Sequence, residues 1–213
     1  MVRRGRPPRL SRDRVIEAAL DIVTREGSRA LTMRRVAEAL GSAPMSIYRH
    51  VRDKDELLVL LLDRIVAGLP RPALPDEPRA RLLALLTWQH DELAARPWIV
   101  DVLGRGDLMA PSVLWLLEEI YTAWHACGLS LEEAATANRI VWNFLLGDLT
   151  QHADRPADRA PYQVSVPAEA DPAQYPTVAA LRSYWRSADR RDHFGDDLAV
   201  LVTALTASAG RGR

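Results

Sequence analysis

The stretch that decides the fold is residues 31–58, LTMRRVAEALGSAPMSIYRHVRDKDELL. Apolar residues recur from Met33 to Leu40 at the spacing of a helix that buries one face. Gly41 follows directly, and a left-handed glycine commonly ends a helix at this position. Pro44 suits the first turn of a second helix, because a proline there loses no helical hydrogen bond. Two short helices joined by a tight turn form a helix-turn-helix, and a longer third helix follows.

The second helix of the pair has the composition of a helix that recognises bases in DNA. Ile47 and Val51 give a helix of about two turns an inner face. Its outer face then carries small, apolar and cationic side chains, which suit the major groove. We therefore predict that Pro44 lies on the DNA-binding surface and that base edges are contacted by Arg34, Met45, Ser46 and Arg49.

Three runs in this stretch, TMRRVAEALG, YRHV and KDELL, resemble the DNA-binding domain of the TetR family of bacterial transcriptional regulators. The tyrosine, the histidine two residues later and the lysine ahead of the acidic-leucine run all stand in register, which makes the likeness specific. It covers roughly residues 11–62. The resemblance implies that the chain binds DNA, and it implies phosphate contacts from Thr32, Tyr48, His50 and Lys54.

Two positions depart from the family's pattern. Several members have a polar residue where Pro44 stands, and the position of Arg49 is often aromatic. Direct recognition is therefore expected to depend on Arg34 and Arg49, because a guanidinium can donate to both O6 and N7 of guanine.

The net charge of zero hides an uneven distribution. Residues 1–14 contain six arginines and a single acid, whereas residues 15–60 contain seven cations and seven acids. The N-terminal third therefore carries a charge of +5 and the remainder −5. A basic end on an acidic body is typical of a protein that contacts phosphates at one end.

Residues 1–10, MVRRGRPPRL, are predicted to form a basic flexible arm. Arg3, Arg4 and Arg6 can lie along a narrow minor groove, where the enhanced negative potential favours arginine. A solvated tail that attracts DNA without specificity explains the same residues equally well. Both interpretations stay open at this point.

Composition excludes several classes of protein. The single cysteine, Cys127, excludes an internal disulfide and any cysteine-based zinc site. The chain begins without an apolar signal core, and no apolar run approaches the roughly 18 residues of a membrane span. We therefore expect a cytoplasmic protein that associates with the nucleoid when it is bound to DNA.

Helical patterns continue to the end of the chain, and no strand pattern or internal repeat appears. A proline-rich linker is predicted at about residues 70–78. A long helix is expected from the capping box at Ser130 to about His152, and a loop rich in prolines follows at about residues 154–176. Two last helices are predicted at about residues 177–188 and 193–207.

These patterns predict an all-α fold in two parts. A three-helix domain with the helix-turn-helix occupies residues 11–56, and a larger helical domain occupies residues 57–213. The helix capped by Asp53 is apolar almost all round from Leu57 to Leu69. We expect it to be buried between the two domains and to connect them rigidly.

The C-terminal part also resembles the family. The runs SLEEA, WNFLLG and FGDDLAVLVTAL are similar to the effector-binding domain of the tetracycline-repressor branch. In that branch the long helix and the last helix pair with a partner chain in a four-helix interface. The resemblance therefore implies a homodimer that binds a small-molecule effector.

The distribution of aromatic residues favours a ligand cavity in the same part. All six tryptophans lie at or beyond residue 88, and Tyr48 is the only aromatic residue before it. Tryptophan and leucine with a few polar groups commonly line small-molecule pockets. Each tryptophan could instead only fill the core or the dimer interface. We predict a ligand-binding set that consists of Trp88, Gln89, Trp115, Trp124, Asn138, Trp142 and Asn143.

No catalytic, metal or cofactor site is expected. The five histidines show no metal-binding spacing, and no serine or cysteine lies in a nucleophile motif. His90 and Asp91 are neighbours on a helix and cannot easily share one metal ion, so a solvated face explains them better. Cys127 is expected to be a structural thiol rather than a redox sensor.

The sequence therefore predicts a ligand-responsive transcriptional regulator. In this hypothesis the protein is a repressor, and it releases a palindromic double-stranded operator when a small, largely apolar or aromatic molecule binds. An activator and a ligand-independent architectural DNA-binding protein are the alternatives. An enzyme with an accessory DNA-binding head is the least expected, since no catalytic constellation appears.

Overall fold

The computed structural model describes residues 10–105, 108–152, 162–186 and 193–209, and every regular element in these ranges is helical. Arg3, Arg4 and Arg6 of the predicted arm lie outside the described residues. The first four helices are α1 (Arg12–Glu26), α2 (Met33–Ala39), α3 (Pro44–Ile47) and α4 (Lys54–Gly68). The next four are α5 (Pro78–Ala94), α6 (Pro97–Leu103), α7 (Leu114–Ala126) and α8 (Leu131–His152). The last are α9 (Tyr162–Ala168), α10 (Pro176–Ala180), α11 (Arg182–Arg186) and α12 (Phe194–Ala209).

Side-chain caps fix where the first helices begin. Ser11, Thr32 and Asp53 each accept a hydrogen bond from the backbone amide three residues ahead, at 3.3, 3.0 and 2.8 Å, and so open α1, α2 and α4. Gly27 and Gly41 follow α1 and α2 with φ angles of 82° and 59°, which glycine adopts without steric cost. The capping side chains and the two glycines therefore mark the helix boundaries that the sequence predicted.

The recognition helix α3 is shorter than predicted. It spans Pro44–Ile47, which is about one turn, whereas the sequence pattern predicted about two turns. The amides of His50 and Val51 both donate to the carbonyl oxygen of Ile47, at 2.8 and 3.2 Å, in turns that lead to the extended backbone of Asp53. Val51 is buried beside Ile47 although it has left the helix. The predicted inner face therefore forms without a second helical turn.

The core around the helix-turn-helix extends well beyond it. Leu57 and Leu61 of α4 are fully buried in this first core together with side chains of α1 and α2. The same core continues into α6 through Trp98 and into the end of α8 through Leu145 and Leu149. The first core extends across the predicted domain boundary between residues 56 and 57. That boundary therefore stays a prediction.

A second core is formed by α5, α7, α8 and α12. A carboxylate opens α5, since Glu77 accepts hydrogen bonds from the amides of Arg79 and Ala80 at 3.0 and 2.6 Å. The predicted capping box opens α8, where the Ser130 amide donates to Glu133 at 2.8 Å and the Glu133 amide donates to Ser130 Oγ at 3.2 Å. Both helices lie between the two cores and contribute side chains to each of them.

The segment predicted as a loop at about residues 154–176 contains helix α9, so the prediction is wrong at residues 162–168. The sequence pattern did not predict this helix because Pro167 is unfavourable in a helix interior. In the structure Pro167 lies in the last turn of α9. A side chain distant in sequence supports this end, because the Arg182 guanidinium donates to the carbonyl oxygens of Ala168 and Ala170 at 2.8 and 3.1 Å. Such a tertiary contact cannot be seen in a local pattern.

The single helix predicted at about residues 177–188 is divided at Leu181 into α10 and α11. Its predicted end at residues 187–188 lies outside the described residues. The last helix, α12, agrees with the prediction and begins at Phe194.

Candidate DNA-binding surface and ligand cavity

The outer side of α3 and the turn after it carry three of the four side chains predicted to contact base edges, Met45, Ser46 and Arg49. Ile47 is fully buried in the first core, and this orientation leaves Met45 71% exposed. Pro44 and Arg49 are also exposed, and Ser46 is half-buried. An apolar group on α3 and a cationic group in the turn that follows it are thus available to contact a thymine methyl group and a guanine edge.

The side chains predicted at phosphates lie beside that helix. Tyr48 is exposed and His50 is half-buried in the turns that follow α3. Thr32 Oγ1 accepts a hydrogen bond from the Arg35 amide at 3.0 Å. Its hydroxyl hydrogen can still donate to a phosphate oxygen, because a hydroxyl is both a donor and an acceptor.

Arg34, the remaining predicted base contact, lies on α2 in an ion pair. Its Nε is 3.0 Å from Glu38 Oε1, one helical turn away, and both side chains are exposed. An exposed pair of this kind contributes little free energy. Arg34 can therefore exchange Glu38 for DNA.

Lys54 stands in the first turn of α4, but its ammonium contacts the protein. Its Nζ donates to the carbonyl oxygen of Ser28 at 3.3 Å. Burial lowers the pKa of Lys54, and the positive charge of Arg105 lowers it further. A phosphate beside Lys54 would favour the charged form and offset both effects. The predicted phosphate contact therefore requires Nζ to share or leave the Ser28 carbonyl.

Lys54 is connected to the C-terminal part of the chain through polar groups, of which Ser28 is buried and Asp101 is exposed. Ser28 is 2% exposed, and its Oγ donates to Asp101 Oδ2 on α6 at 3.3 Å. We name the set Lys54, Ser28, Asp101 and Arg105 the α6 junction. Sequence analysis missed Ser28 and Asp101, because they are 73 residues apart and neither lies in a motif. The α6 junction brings the DNA-binding surface next to a helix that also lines a cavity.

That cavity has a volume of about 330 Å³ and lies between α4, α5, α6, α7 and α8. The volume is at the lower end of the range for pockets that hold drug-sized ligands, roughly 300–1,000 Å³. Each helix presents side chains at helical spacing, and α4 contributes Leu62, Ile65, Val66 and Leu69. The wall is largely apolar, and its polar and charged side chains are Gln89, Glu92, Arg96, Tyr121, Asn138 and Arg139.

Four of the seven residues predicted to bind a ligand lie on the cavity wall. Trp88 and Gln89 face it from α5, and Asn138 and Trp142 face it from α8. On α8 these two share a face with Ala135 and Arg139, at the i, i+3, i+4 and i+7 positions. Their role in ligand binding stays a prediction.

The other three predicted positions lie outside the wall of this cavity. Trp124 is fully buried in the second core, and Asn143 is exposed on the outer side of α8. Trp115 packs against Trp88, with ring centroids 5.5 Å apart, and lies under the Arg71 guanidinium at 4.7 Å. The reason is helical register, because Asn143 is one residue beyond Trp142 and therefore points about 100° away.

Known proteins share this sequence pattern and this fold. A family profile described as "Bacterial regulatory proteins, tetR family" matches residues 15–61, and one described as "Tetracyclin repressor-like, C-terminal domain" matches residues 71–208. The transcriptional repressor DrrR1 of Streptomyces coeruleorubidus is 32% identical over an alignment that covers 99% of this chain and 82% of that protein. This chain belongs to the TetR family. It is a DNA-binding transcriptional regulator with an N-terminal helix-turn-helix, as the sequence predicted.

Solved structures share the fold of this TetR-family chain along its length. ActR of Streptomyces coelicolor in complex with actinorhodin has a TM-score of 0.82 at 22% identity, covering 97% of this chain and 100% of that chain. BioQ with its double-stranded DNA operator has a TM-score of 0.63 at 22% identity, covering 93% and 99%. At these identities the likeness establishes the fold, and the predicted TetR-type all-α architecture is confirmed.

Sequence analysis missed Tyr121 and three charged residues on the cavity wall of this TetR-family regulator. Glu92 and Arg96 form an ion pair one turn apart, with Oε2 and Nη1 separated by 2.6 Å. Charged residues in a helix are ordinarily assigned to solvent. The available signal was register, since Glu92 shares one face of α5 with Trp88 and Arg96 follows shortly after the end of that helix.

His90 is not on a solvated face, which corrects the sequence interpretation. Its Nε2 is 2.9 Å from Asp148 Oδ2, and its ring stacks on Phe194 with centroids 3.7 Å apart. His90 therefore connects α5, α8 and α12. Among the residues the structure describes, no group of three or more histidine, cysteine or acidic side chains could hold a metal ion, and no helix could span a membrane.

Cys127 lies half-buried after α7. Burial raises the pKa of its thiol, and the nearby carboxylate of Glu77 raises it further. The reactive thiolate is therefore scarce at neutral pH, which favours a structural role for this thiol.

Proposed function

We propose that this TetR-family chain is a homodimeric repressor that releases an inverted-repeat operator when a small, largely apolar or aromatic molecule fills the cavity. The course of α4 carries the proposal. Its first turn holds Lys54 near the DNA-binding surface, and Leu62 and Val66 line the cavity. Leu62 lies roughly 12 Å from Lys54 along the helix axis. One rigid helix therefore contacts both sites.

A ligand can act on DNA binding only if it favours one arrangement of these helices over another. Two elements in contact with the cavity reach the DNA-binding part. The first is α4, whose buried leucines pack in the first core. The second is α6, which lines the cavity through Ile99 and Leu103 and meets Ser28 through Asp101. A ligand that moves either helix changes the spacing of the two recognition helices in a dimer.

The proposed dimer interface is the outer side of α8 and α12. Ile140 on α8 and Val200 on α12 are exposed, and Val200 is 70% exposed. Smaller side chains that are also exposed, Thr136 on α8 and Ala204 on α12, share these faces. The two helices pack side by side in the second core. Such a surface suits a four-helix interface with a second copy of the chain.

On DNA, we propose that base edges are contacted by Arg34, Met45, Ser46 and Arg49, with Pro44 on the same surface. Phosphates are then contacted by Thr32, Tyr48, His50 and Lys54. The full or partial exposure of these side chains supports the division, except that Lys54 Nζ must share or leave its contact with the Ser28 carbonyl oxygen. We further propose that the protein acts in the cytoplasm, at the nucleoid when it is bound to an operator.

The names of related proteins support the repressor and ligand parts of the proposal. DrrR1 is named a transcriptional repressor, and ActR has been crystallised with actinorhodin. Both resemble this chain over nearly its whole length.

The first test is selection of DNA from a random pool by the full-length protein. The expected product is an inverted repeat whose half-sites are about one helical turn, roughly 34–36 Å, or a multiple of it apart. Light scattering at micromolar concentration should show a dimer without DNA. A monomer that selects an asymmetric site would contradict the proposal.

The second test is a screen of aromatic compounds for release of the selected DNA, followed by fluorescence anisotropy. Ligand should weaken operator binding by the same factor by which operator weakens ligand binding. A compound that fills the cavity and raises thermal stability without changing DNA affinity would instead indicate a ligand-independent architectural protein. A compound that strengthens operator binding would contradict release as the response.

A further inference from the structure

The cavity wall carries three charged side chains, and they are not balanced. Glu92 and Arg96 satisfy each other, because Arg96 Nη1 donates to Glu92 Oε2 at 2.6 Å and to the Glu92 carbonyl oxygen at 2.8 Å. Both side chains are more than two-thirds buried, which strengthens their attraction. The pair contributes no net charge to the cavity, so the charge of the wall is that of Arg139.

Arg139 has no counter-ion among the residues that the structure describes. On α8 its neighbours one turn away are Ala135, Thr136, Trp142 and Asn143, and none of them is acidic. Arg139 lies between the face of α8 that lines the cavity and the outer face proposed for dimerisation. A cation without a partner at the mouth of a largely apolar cavity is available to bind an anion.

We infer that the effector is an aromatic carboxylate, with its apolar body inside the cavity and its carboxylate on the Arg139 guanidinium. This inference rests on the proposed function, and it adds the chemical class of the ligand. Trp88 and Trp142 supply aromatic surface for the body. The amide of Asn138, one residue before Arg139, can hydrogen-bond a second polar group of the ligand.

The geometry distinguishes an anion from a neutral or cationic ligand. A cationic group would have to displace Arg96 from Glu92, at the cost of leaving a guanidinium without its partner. A neutral aromatic molecule would gain at most a hydrogen bond or a cation–π contact from Arg139, without the attraction between opposite charges. A carboxylate gains a planar, bidentate partner. Because Arg139 is exposed, solvent and salt weaken the gain, and the expected preference for an anion is moderate.

The test compares matched acids and amides of increasing size. The pairs are phenylacetate with phenylacetamide, 1-naphthylacetate with 1-naphthylacetamide, and anthraquinone-2-carboxylate with its carboxamide. Affinity for the full-length protein is measured by tryptophan fluorescence and by calorimetry. At least one acid should bind roughly three- to fivefold more tightly than its amide, as expected for an ion pair that is exposed to solvent. Added salt should reduce the difference.

Three variants identify the contact. Arg139→Gln should abolish the preference for the acid and leave affinity for the amide unchanged within about twofold. Arg139→Lys should keep part of the preference, because the charge remains while the bidentate geometry is lost. Arg25→Gln on α1 removes the same charge far from the cavity, in an exposed pair with Asp21, and should behave like the original protein.

Several outcomes would overturn the inference. These are failure of all three acids to bind at millimolar concentration, equal affinity for acid and amide, and a preference that survives in Arg139→Gln. Loss of the dimer in Arg139→Gln, seen by light scattering, would assign Arg139 to the interface instead. Operator affinity is measured separately with each bound acid. An acid that binds through Arg139 without releasing DNA would leave the ligand class intact and contradict the proposed repressor function.

Discussion

The DNA-binding surface and the cavity are built in opposite ways. The surface takes its side chains from residues 31–58, and they point outward from a closed core. The cavity takes its side chains from five helices between Leu62 and Trp142, and they point inward. A residue that recognises DNA can therefore change without disturbing the fold. An apolar cavity residue such as Leu62 or Leu116 is less tolerant, because it also packs in a core that holds the helices together.

The largest expected effect tests whether the two parts are energetically separate. Leu57→Ala removes a fully buried side chain from the first core, and Leu86→Ala removes one that is 1% exposed from the second. Each should lower the free energy of unfolding by roughly 2–5 kcal/mol. Because the first core includes Trp98, Leu145 and Leu149, we expect a single transition in both variants.

The measurement uses thermal unfolding at one fixed protein concentration, followed by far-ultraviolet circular dichroism and by tryptophan fluorescence. All six tryptophans lie at or beyond residue 88, so fluorescence reports on the C-terminal part, including Trp98 where it packs in the first core. If Leu57→Ala shifted the dichroism transition and left the fluorescence transition in place, the two parts would fold independently and the shared core would be energetically unimportant.

The next effect separates base recognition from phosphate contact. Arg49→Ala should cost roughly 1–3 kcal/mol on the selected operator and relax preference at one base pair, since Arg49 is exposed and supports no described core contact. Competition binding with a series of single-base operator variants measures both. Equal losses on operator and random DNA would remove Arg49 from base recognition.

Lys54→Ala is the matched control for Arg49→Ala, because each removes one positive charge. It should weaken binding to all sequences alike and reduce the salt slope of log K by about one. The contact with Ser28 makes Lys54→Ala structurally less neutral than Arg49→Ala. Circular dichroism should therefore accompany both variants.

The same contrast explains which features the sequence could predict. The helix-turn-helix depends on contiguous signals such as the Thr32 cap, Gly41 and the buried Ile47, and these act within a few residues of each other. The boundaries of α1, α2 and α4 followed from them. The predicted second turn of α3 was wrong because the extended cap at Asp53 limits how far the helix can run.

The cavity was only partly predictable, because register between helices decides it. Composition correctly indicated which part of the chain contains the cavity. Helical spacing could have placed Arg139 on the cavity wall together with Asn138. It could not show that Trp124 fills the second core while Trp142 faces the cavity. Likewise, the α6 junction joins residues distant in sequence, and α9 is supported by Arg182 from another helix.

Within α8 and α5, amides on and off the cavity wall offer a direct test of that register. Gln89→Leu removes a polar group that lines the cavity, and Asn143→Leu removes one that does not. With a ligand identified by DNA release, Gln89→Leu should weaken ligand binding by roughly 1–1.5 kcal/mol, the contribution of one hydrogen bond. Operator affinity without ligand should be unchanged. Asn143→Leu should leave ligand affinity unchanged, and the reverse pattern would place the binding site on the outer side of α8.

The smallest expected effect concerns the α6 junction, which is a polar connection between the two regions. Asp101→Asn weakens the acceptor of the Ser28 hydroxyl with little change in shape, so the fold should be retained. We expect operator affinity without ligand to change by less than about 0.5 kcal/mol, since Asp101 lies outside the DNA-binding surface. The coupling between ligand and operator should fall by roughly 0.5–2 kcal/mol, because α6 loses part of its connection to Ser28 and Lys54. Asp21→Asn on α1 removes the same charge at an exposed site and should leave the coupling intact.

A double-mutant cycle of Asp101→Asn with Ser28→Ala then decides whether the coupling runs through the hydrogen bond between these two residues, because two residues that act through one hydrogen bond give non-additive losses. Additive losses, or full coupling in Asp101→Asn, would leave α4 as the sole connection between the cavity and the DNA-binding surface.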